Sequence, residues 1–326
     1  MTERPRKVLI CGSVAYDTIM VFDGRFREHI LPEQLHILNV AFLVPQLRRE
    51  FGGCAGNIAY NLTLLGDPAV TMATVGRDFG PYREWMQRNN LPLGHVRVID
   101  SELTAQAFIT TDRDDNQITA FHPGAMQHAH VNGVADAGKD VVLGIVAPDG
   151  RQGMIEHAKQ FAGGKIPFIF DPGQGLPMFD AADLEHFIEH ADWMAFNDYE
   201  WQLLQQKTGF TARDLTSRVQ AIIVTRGHKG SVIYTRDGEI DIRCAKASAV
   251  VDPTGCGDAY RAGFLHGLLH GLDYETCGQM GSVMGALKIE SRGTQNHRAT
   301  PAEIERRLAE NFGDAAAAKA ALTTRI

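Results

Sequence analysis

Val251-Asp252-Pro253-Thr254-Gly255-Cys256-Gly257-Asp258-Ala259-Tyr260-Arg261-Ala262-Gly263-Phe264 is a glycine-rich turn running straight into a small-residue, apolar helix that the spacing carries to about Gly271. At such a start the N–H groups of Gly255, Cys256 and Gly257 can point one way. Unpaired N–H groups and the positive end of the helix dipole attract anions. Asp258 is the carboxylate set inside this positive place. Backbone donors can hold the charge of a phosphate while a carboxylate takes the proton of an attacking hydroxyl, so the pattern suits phosphoryl transfer. A bare Gly-x-Gly-Asp is equally an ordinary helix cap with a first-turn acid.

The rest of the chain narrows the choice. With 326 residues it is long enough for one large α/β domain or two ordinary ones. At 44% hydrophobic and 22% charged residues it has the composition of a soluble globular protein. A net charge of −7 argues against a nucleic-acid partner, which needs a basic face. It leaves a phosphate ligand open, because a helix start binds one without net positive charge. There is no apolar run of the ~20 residues that a membrane span needs, and the N-terminal residues lead into a strand-like run without a signal-peptide core. Five scattered cysteines without a Cys-x-x-Cys pair suggest neither disulfides nor zinc, and a reducing cytoplasm is the expectation. No Gly-x-x-x-x-Gly-Lys-Ser/Thr segment and no early dinucleotide fingerprint occur.

Short apolar runs alternate with helical patterns. Strands are expected at 7–12, 70–76, 140–147, 167–171, 192–197 and 221–226, and helices at 55–65, 81–89, 151–162, 181–190 and 199–207. Such alternation predicts a mostly parallel central sheet with helices on both faces, and ligands at the carboxyl ends of its strands. Several runs end in polar or turn residues there: Asp171-Pro172-Gly173, Asn197-Asp198 and Thr225-Arg226-Gly227. Two stretches interrupt the alternation. Residues 18–51 show little helical period, and 97–122 reads as a hairpin of 105–111 and 117–121 around a polar turn. The plain reading is two surface insertions. The alanine-rich 315–321 reads as a peripheral helix.

A second glycine-rich helix start, Gly52-Gly53-Cys54-Ala55-Gly56-Asn57, lies about 200 residues before the first. Together with Asp252-Pro253-Thr254-Gly255-Cys256-Gly257-Asp258 it closely resembles the paired motifs of the ribokinase-like (PfkB) carbohydrate and nucleoside kinases. The resemblance covers nearly the whole chain and is closest to bacterial adenosine and nucleoside kinases, through Gly12-Ser13-Val14-Ala15-Tyr16-Asp17, Phe121-His122-Pro123-Gly124-Ala125-Met126, Asn197-Asp198-Tyr199-Glu200 and Thr225-Arg226-Gly227. It implies a ribokinase-like α/β fold over 1–326 as a single domain. The insertions at roughly 18–51 and 97–122 would form a small β-lid, which often carries a homodimer contact.

The resemblance also implies roles. Asp258 is the general base, with Gly255, Cys256 and Gly257 as the anion hole. Asp17 accepts hydrogen bonds from the ribose 2′ and 3′ hydroxyls, for which two carboxylate oxygens are suited. Taken alone, Asp17 could be a turn carboxylate after the strand through Gly12-Ser13. Ser13, Gly53 and Asn57 lie against the sugar, Phe121 and Met126 flank the base, and Gln174 meets the nucleoside. Asn197, Thr225, Gly227 and Gly230 hold ATP. Asn197 and Glu200 organise Mg²⁺, mainly through water, as that ion commonly requires; the same Asn-x-x-Glu also fits a capping box. Asp252 and Thr254 mark a monovalent-cation site, for K⁺, behind the cradle. The expected partners are a nucleoside and ATP, with neither nucleic acid nor membrane.

The base pocket departs from the adenosine kinase pattern. Gly175 stands where a second Gln is expected, and Ala107 where an aromatic is expected, with Phe108 one residue away. The expected activity is therefore phosphorylation of ribonucleoside 5′-hydroxyls over a range of bases. A ribose or hexose kinase of the same family and a non-catalytic nucleoside sensor are the alternatives; the presence of Asp258 counts against the sensor.

Overall fold

The computed structural model describes residues 6–30, 39–114, 116–313 and 316–323. Among them, nine strands form one sheet: β1 (Lys7–Cys11), β4 (Ala69–Gly76), β5 (His95–Ile99), β8 (Val141–Val146), β9 (Phe168–Phe170), β10 (Trp193–Asn197), β11 (Ala221–Thr225), β12 (Ser231–Thr235) and β13 (Gly238–Ile242). Their order is β13-β12-β11-β10-β9-β8-β1-β4-β5. All neighbours run parallel except the β11–β12 and β12–β13 pairs. This is the mostly parallel central sheet that the alternation predicts, in the α/β arrangement that the resemblance implies.

Side chains alternate across β1 and feed two cores. Val8 and Ile10 pack toward α1 (Cys54–Leu65), α7 (Cys256–Leu269) and α8 (Tyr274–Ile289). Leu9 and Cys11 face α3 (Arg151–Gly164), α4 (Ala181–His190) and α5 (Asp198–Thr208). Strands buried on both faces read as continuous apolar runs, which is why β1, β4, β8, β10 and β11 were visible in the sequence. Helix α8 was not, because it is buried nearly all round and shows no apolar stripe. Helices α7 and α8 press together where Gly263 meets Gly281: a Cβ on either would lie within 2.8 Å of the other helix's backbone.

The remaining helices are α2 (Gly80–Arg88), α6 (Ala212–Thr216), α9 (Pro301–Phe312) and α10 (Ala316–Thr323). The last is less peripheral than its alanine content suggested, since Ala318 and Leu322 are buried in the main core. Residue 315 of that expected helix lies outside the described residues. No described helix is long and apolar enough to cross a membrane.

A second sheet, β3-β2-β6-β7, is built from the two interrupting stretches: β2 (Ala15–Val21), β3 (Gln46–Gly52), β6 (Ala105–Thr111) and β7 (Gln117–His122). Residues 31–38 and 115 of those stretches lie outside the described residues. The stretch at 18–51 thus carries regular structure that its helical period could not reveal. Asp17 sits within β2, not in a turn after the first strand, because β1 ends at Cys11 and the chain re-enters a strand at Ala15.

Candidate active site

Register decides which side chains of the second sheet face inward. Asp17 on β2 pairs with Ala107 on β6, and Ala107 with Phe121 on β7. Opposed residues share a face, so these three line one row, and all three border a cleft of about 730 Å³ between the two sheets. Phe108 points to the opposite face, so Ala107 is the residue on the cleft wall. Phe121 remains half exposed at the mouth.

The cleft floor is the carboxyl ends of the parallel strands and the starts of α1 and α7. Gly53 opens α1 at φ 86°, and a Cβ there would lie 2.6 Å from both the Ser13 carbonyl oxygen and the Ala15 nitrogen. Only glycine lets the turn lie so close beneath β2. The Ser13 hydroxyl accepts the Cys54 N–H at 3.1 Å. Asn57, one turn into α1, donates through Nδ2 to Asp258 Oδ2 at 2.8 Å. Its Oδ1 accepts from Gln295 Nε2 at 3.0 Å, while Gln295 Oε1 accepts the Trp85 indole N–H at 2.9 Å. This chain fixes which end of the Asn57 amide faces Asp258.

Gly255 starts α7 in the left-handed region at φ 78°. Among the described residues, the N–H groups of Gly255, Gly257 and Asp258 donate to no protein acceptor. The Cys256 N–H does, to the Pro253 carbonyl at 3.2 Å, and Cys256 does not border the cleft. The expected run Gly255, Cys256, Gly257 is therefore corrected at its middle: the turn consumes the Cys256 N–H, and Asp258's own takes its place among the free donors.

Two carboxyls in the cleft are held well above the usual range. Burial pushes Asp258 up to about 6, opposed by the Asn57 hydrogen bond and reinforced by the Asp171 charge. Burial pushes Asp17 up to about 7, with repulsion from Asp258, Glu50 and Asp252 behind it. Both remain close to the range in which a group exchanges a proton near neutral pH. Asp171 is itself paired: Arg261, on the second turn of α7, donates from Nε to Oδ2 at 2.9 Å and from Nη2 to Oδ1 at 3.4 Å. Both border the cleft.

The other expected residues divide. Met126, Gln174, Asn197, Glu200, Thr225, Gly227 and Thr254 border the cleft. Gly230 does not; it holds φ 83° against β13, where a Cβ would meet the Ile242 carbonyl oxygen at 2.0 Å, and its part is to make the turn. Asn197 and Glu200 do form the capping box of α5, with Asn197 Oδ1 accepting the Glu200 N–H and Glu200 accepting from the Asn197 N–H and Nδ2, each at 2.8 Å. Each Glu200 oxygen takes one of these bonds and keeps a lone pair, so an outer-sphere Mg²⁺ held through water fits this donor set.

Asp252 is buried and does not border the cleft. Its oxygens accept the Thr254 N–H at 3.0 Å and the Gly293 N–H at 2.9 Å, and its main-chain carbonyl accepts from Lys288 Nζ at 2.8 Å. An ammonium already stands beside the group expected to hold K⁺, so these residues do not fit a further cation.

Gln295, Trp85, Arg261 and Lys288 were missed by sequence reasoning. Only Arg261 lay within a quoted motif, at helical spacing from Asp258; the others are brought in from distant parts of the chain.

The family model described as pfkB family carbohydrate kinase matches residues 13–301. The chain is similar to the nucleoside kinase of Methanocaldococcus jannaschii, 34% identical over 94% of this chain and 98% of that protein. The structure of Burkholderia thailandensis nucleoside kinase in complex with inosine is 54% identical, with a TM-score of 0.87, over 94% of this chain and 98% of that one. The same Burkholderia enzyme in complex with ADP-inosine is 55% identical, with a TM-score of 0.84, over 94% and 96%.

Proposed function

This chain belongs to the pfkB family of carbohydrate kinases, and from that premise we propose that it is an ATP-dependent nucleoside kinase. It moves the γ-phosphoryl group of ATP to the 5′-hydroxyl of a ribonucleoside, giving a nucleoside 5′-monophosphate and ADP. The observation that carries this reading is the Asn57–Asp258 hydrogen bond. It joins a proton acceptor at the start of α7 to the start of α1, on the floor of the cleft whose wall carries Asp17, with two oxygens for a vicinal diol.

In this reading Asp258 takes the 5′-hydroxyl proton as the new O–P bond forms and the bond to the β-phosphate oxygen breaks. The N–H groups of Gly255, Gly257 and Asp258 hold the charge on the transferring phosphoryl group. Asp17 binds the ribose 2′ and 3′ hydroxyls, Ser13, Gly53 and Asn57 face the sugar, and Phe121, Met126 and Gln174 surround the base. Thr225, Gly227 and Asn197 take the nucleotide. Mg²⁺, when bound beside Asn197 and Glu200, neutralises phosphate charge. The whole chain acts as one catalytic unit, and the second sheet is its lid.

The lid's outer face exposes Leu47, Phe108 and Ile118, and it provides a contact between two copies of the chain; sedimentation of the wild type and of Ile118→Lys reads that dimer directly. ADP release measured over adenosine, inosine, guanosine, cytidine and ribose tests the activity. Turnover on nucleosides is expected, and turnover on free ribose alone would overturn the reading.

A further inference from the structure

Lys288 lies in the last turn of α8 and is 0% exposed. Its Nζ donates to the main-chain carbonyls of Asp252 at 2.8 Å and Ser291 at 3.0 Å. A buried ammonium is costly unless its charge is compensated and its protons are hydrogen-bonded; here two carbonyls take hydrogen bonds, and a nearby carboxylate acts through its field without a direct ion pair among the described residues. The Asp252 carboxylate is the counter-charge, and α8's carboxyl end, where a cation is favoured, supplies the setting. Arg48 is the other cation facing that carboxylate, with Nη2 at 3.8 Å from Oδ2, and Glu50 in turn faces Arg48 at 3.4 Å.

Carbonyl oxygens beside one carboxylate are the hard donor set of an alkali cation, and an ammonium is close to K⁺ in charge and size. The ammonium also sits at a structural junction. Val251 and Asp252 donate their N–H groups to the Ile289 carbonyl, and Gly293 donates to Asp252 Oδ2. Asp252 Oδ1 then holds the Thr254 N–H, directly before the free donors of Gly255 and Gly257. The last turn of α8 and the cradle are thus laced together around one positive charge.

We propose that Lys288 is a tethered internal counterpart of a monovalent cation: its Nζ positions the 252–257 turn from behind, and phosphoryl transfer in this chain is independent of K⁺. Lys288 is a positioning residue, since it reaches the cradle through Asp252. The proposal rests on reading the cradle as the phosphoryl site.

The test compares wild type and Lys288→Met, which keeps the apolar stem and removes the charge. Both are assayed for ADP release in potassium, sodium, ammonium and tetramethylammonium chloride at constant ionic strength. Wild-type turnover is expected to be the same in all four. In tetramethylammonium the variant is expected to lose about 10–100-fold in kcat, the usual cost of an outer supporting contact, with a smaller change in nucleoside KM. Potassium or ammonium is expected to restore it saturably.

Stimulation of the wild type by potassium would overturn the proposal, and that arm needs no variant to fold. So would a variant with full turnover in tetramethylammonium, or one that no cation restores. Melting temperatures supply a second readout: potassium should raise Tm of the variant above its value in tetramethylammonium and leave the wild type unmoved. Were the wild type inactive on every nucleoside, the kinase reading would fail while the Tm comparison still decided the role of Lys288.

Discussion

Asp258 carries the sharpest prediction. Asp258→Asn keeps the hydrogen-bonding shape but cannot take a proton, so kcat should fall by about 10²–10⁴-fold with nucleoside affinity roughly intact. A variant retaining more than half of normal turnover would remove Asp258 from the mechanism. A general base acts when ionised, and the Asp258 carboxyl is pushed up to about 6. Activity should therefore rise as pH increases through this region and level off above it, and the variant's residual activity should lack that limb. Asp17, raised to about 7 and repelled by Asp258, titrates with it, so the observed midpoints belong to the pair. Asp17→Ala should raise nucleoside KM, because each lost hydrogen bond to a charged acceptor is worth about 1.5–3 kcal/mol. If the wild type used 2′,3′-dideoxynucleosides as well as ribonucleosides, recognition of the diol by Asp17 would be wrong.

Elements explain what sets base choice. The short 3₁₀ turn Gly173–Met178 and the strand β6 present Gly175 and Ala107 to the cleft, both small. A pocket built to hydrogen-bond one substrate group discriminates by about 10⁴–10⁵, whereas apolar shape manages only about 10–200. Inosine or guanosine should accordingly be phosphorylated with kcat/KM within about 10²-fold of adenosine. Gly175→Gln should narrow the range toward adenosine. The turn has room for it, since a Cβ would meet only the flexible Met178 methyl at 3.0 Å. Four ribonucleosides at saturating MgATP suffice, and a much stronger adenosine preference in the wild type would show that other side chains read the base.

The same elements show where the sequence was readable. Buried parallel strands and glycine-rich helix starts are local signals, so β1, β4, β8, β9, β10 and β11 and the two helix starts that carry Asn57 and Asp258 could be placed, whereas the partly exposed β5, β12 and β13 were not among the expected strands. Strand β2 was missed because it is only partly buried and follows β1 after only three residues. Gln295 and Lys288 were missed because their partners lie 238 and 36 positions away and no spacing announces such contacts. Cys256 was misplaced because the turn closes on its N–H, a detail of backbone direction and not of residue type.

Over the whole molecule, stability should carry the mark of a buried acid. Asp149 is 2% exposed, and burial pushes its carboxyl from 3.8 to about 8, against the opposing Gly150 N–H bond. Between those values the folded state binds the proton that the unfolded chain releases, so this group's contribution to stability falls as pH rises from about 4 to about 8. Asn at this position keeps an acceptor for the Gly150 N–H and has no charge to bury. Tm of Asp149→Asn minus Tm of the wild type should therefore grow across that window and level off above it. A constant gap would mean that Asp149 ionises freely in the native protein.

The link from Trp85 through Gln295 to Asn57 also sets an order of events during synthesis. Its members are 210 and 238 positions apart, and contacts so distant pay their loop-closure entropy late. A growing chain makes β2, α1 and the β6–β7 hairpin first, and the helix bearing Asp258 well after them. Until residues 258 and 295 have both left the ribosome, the Asn57 amide lacks one or both of the side chains that set its orientation. The unfinished protein can assemble the β2 wall proposed to take the sugar but not the Asn57–Asp258 pair, so it acquires the geometry proposed for turnover only once residue 295 has emerged.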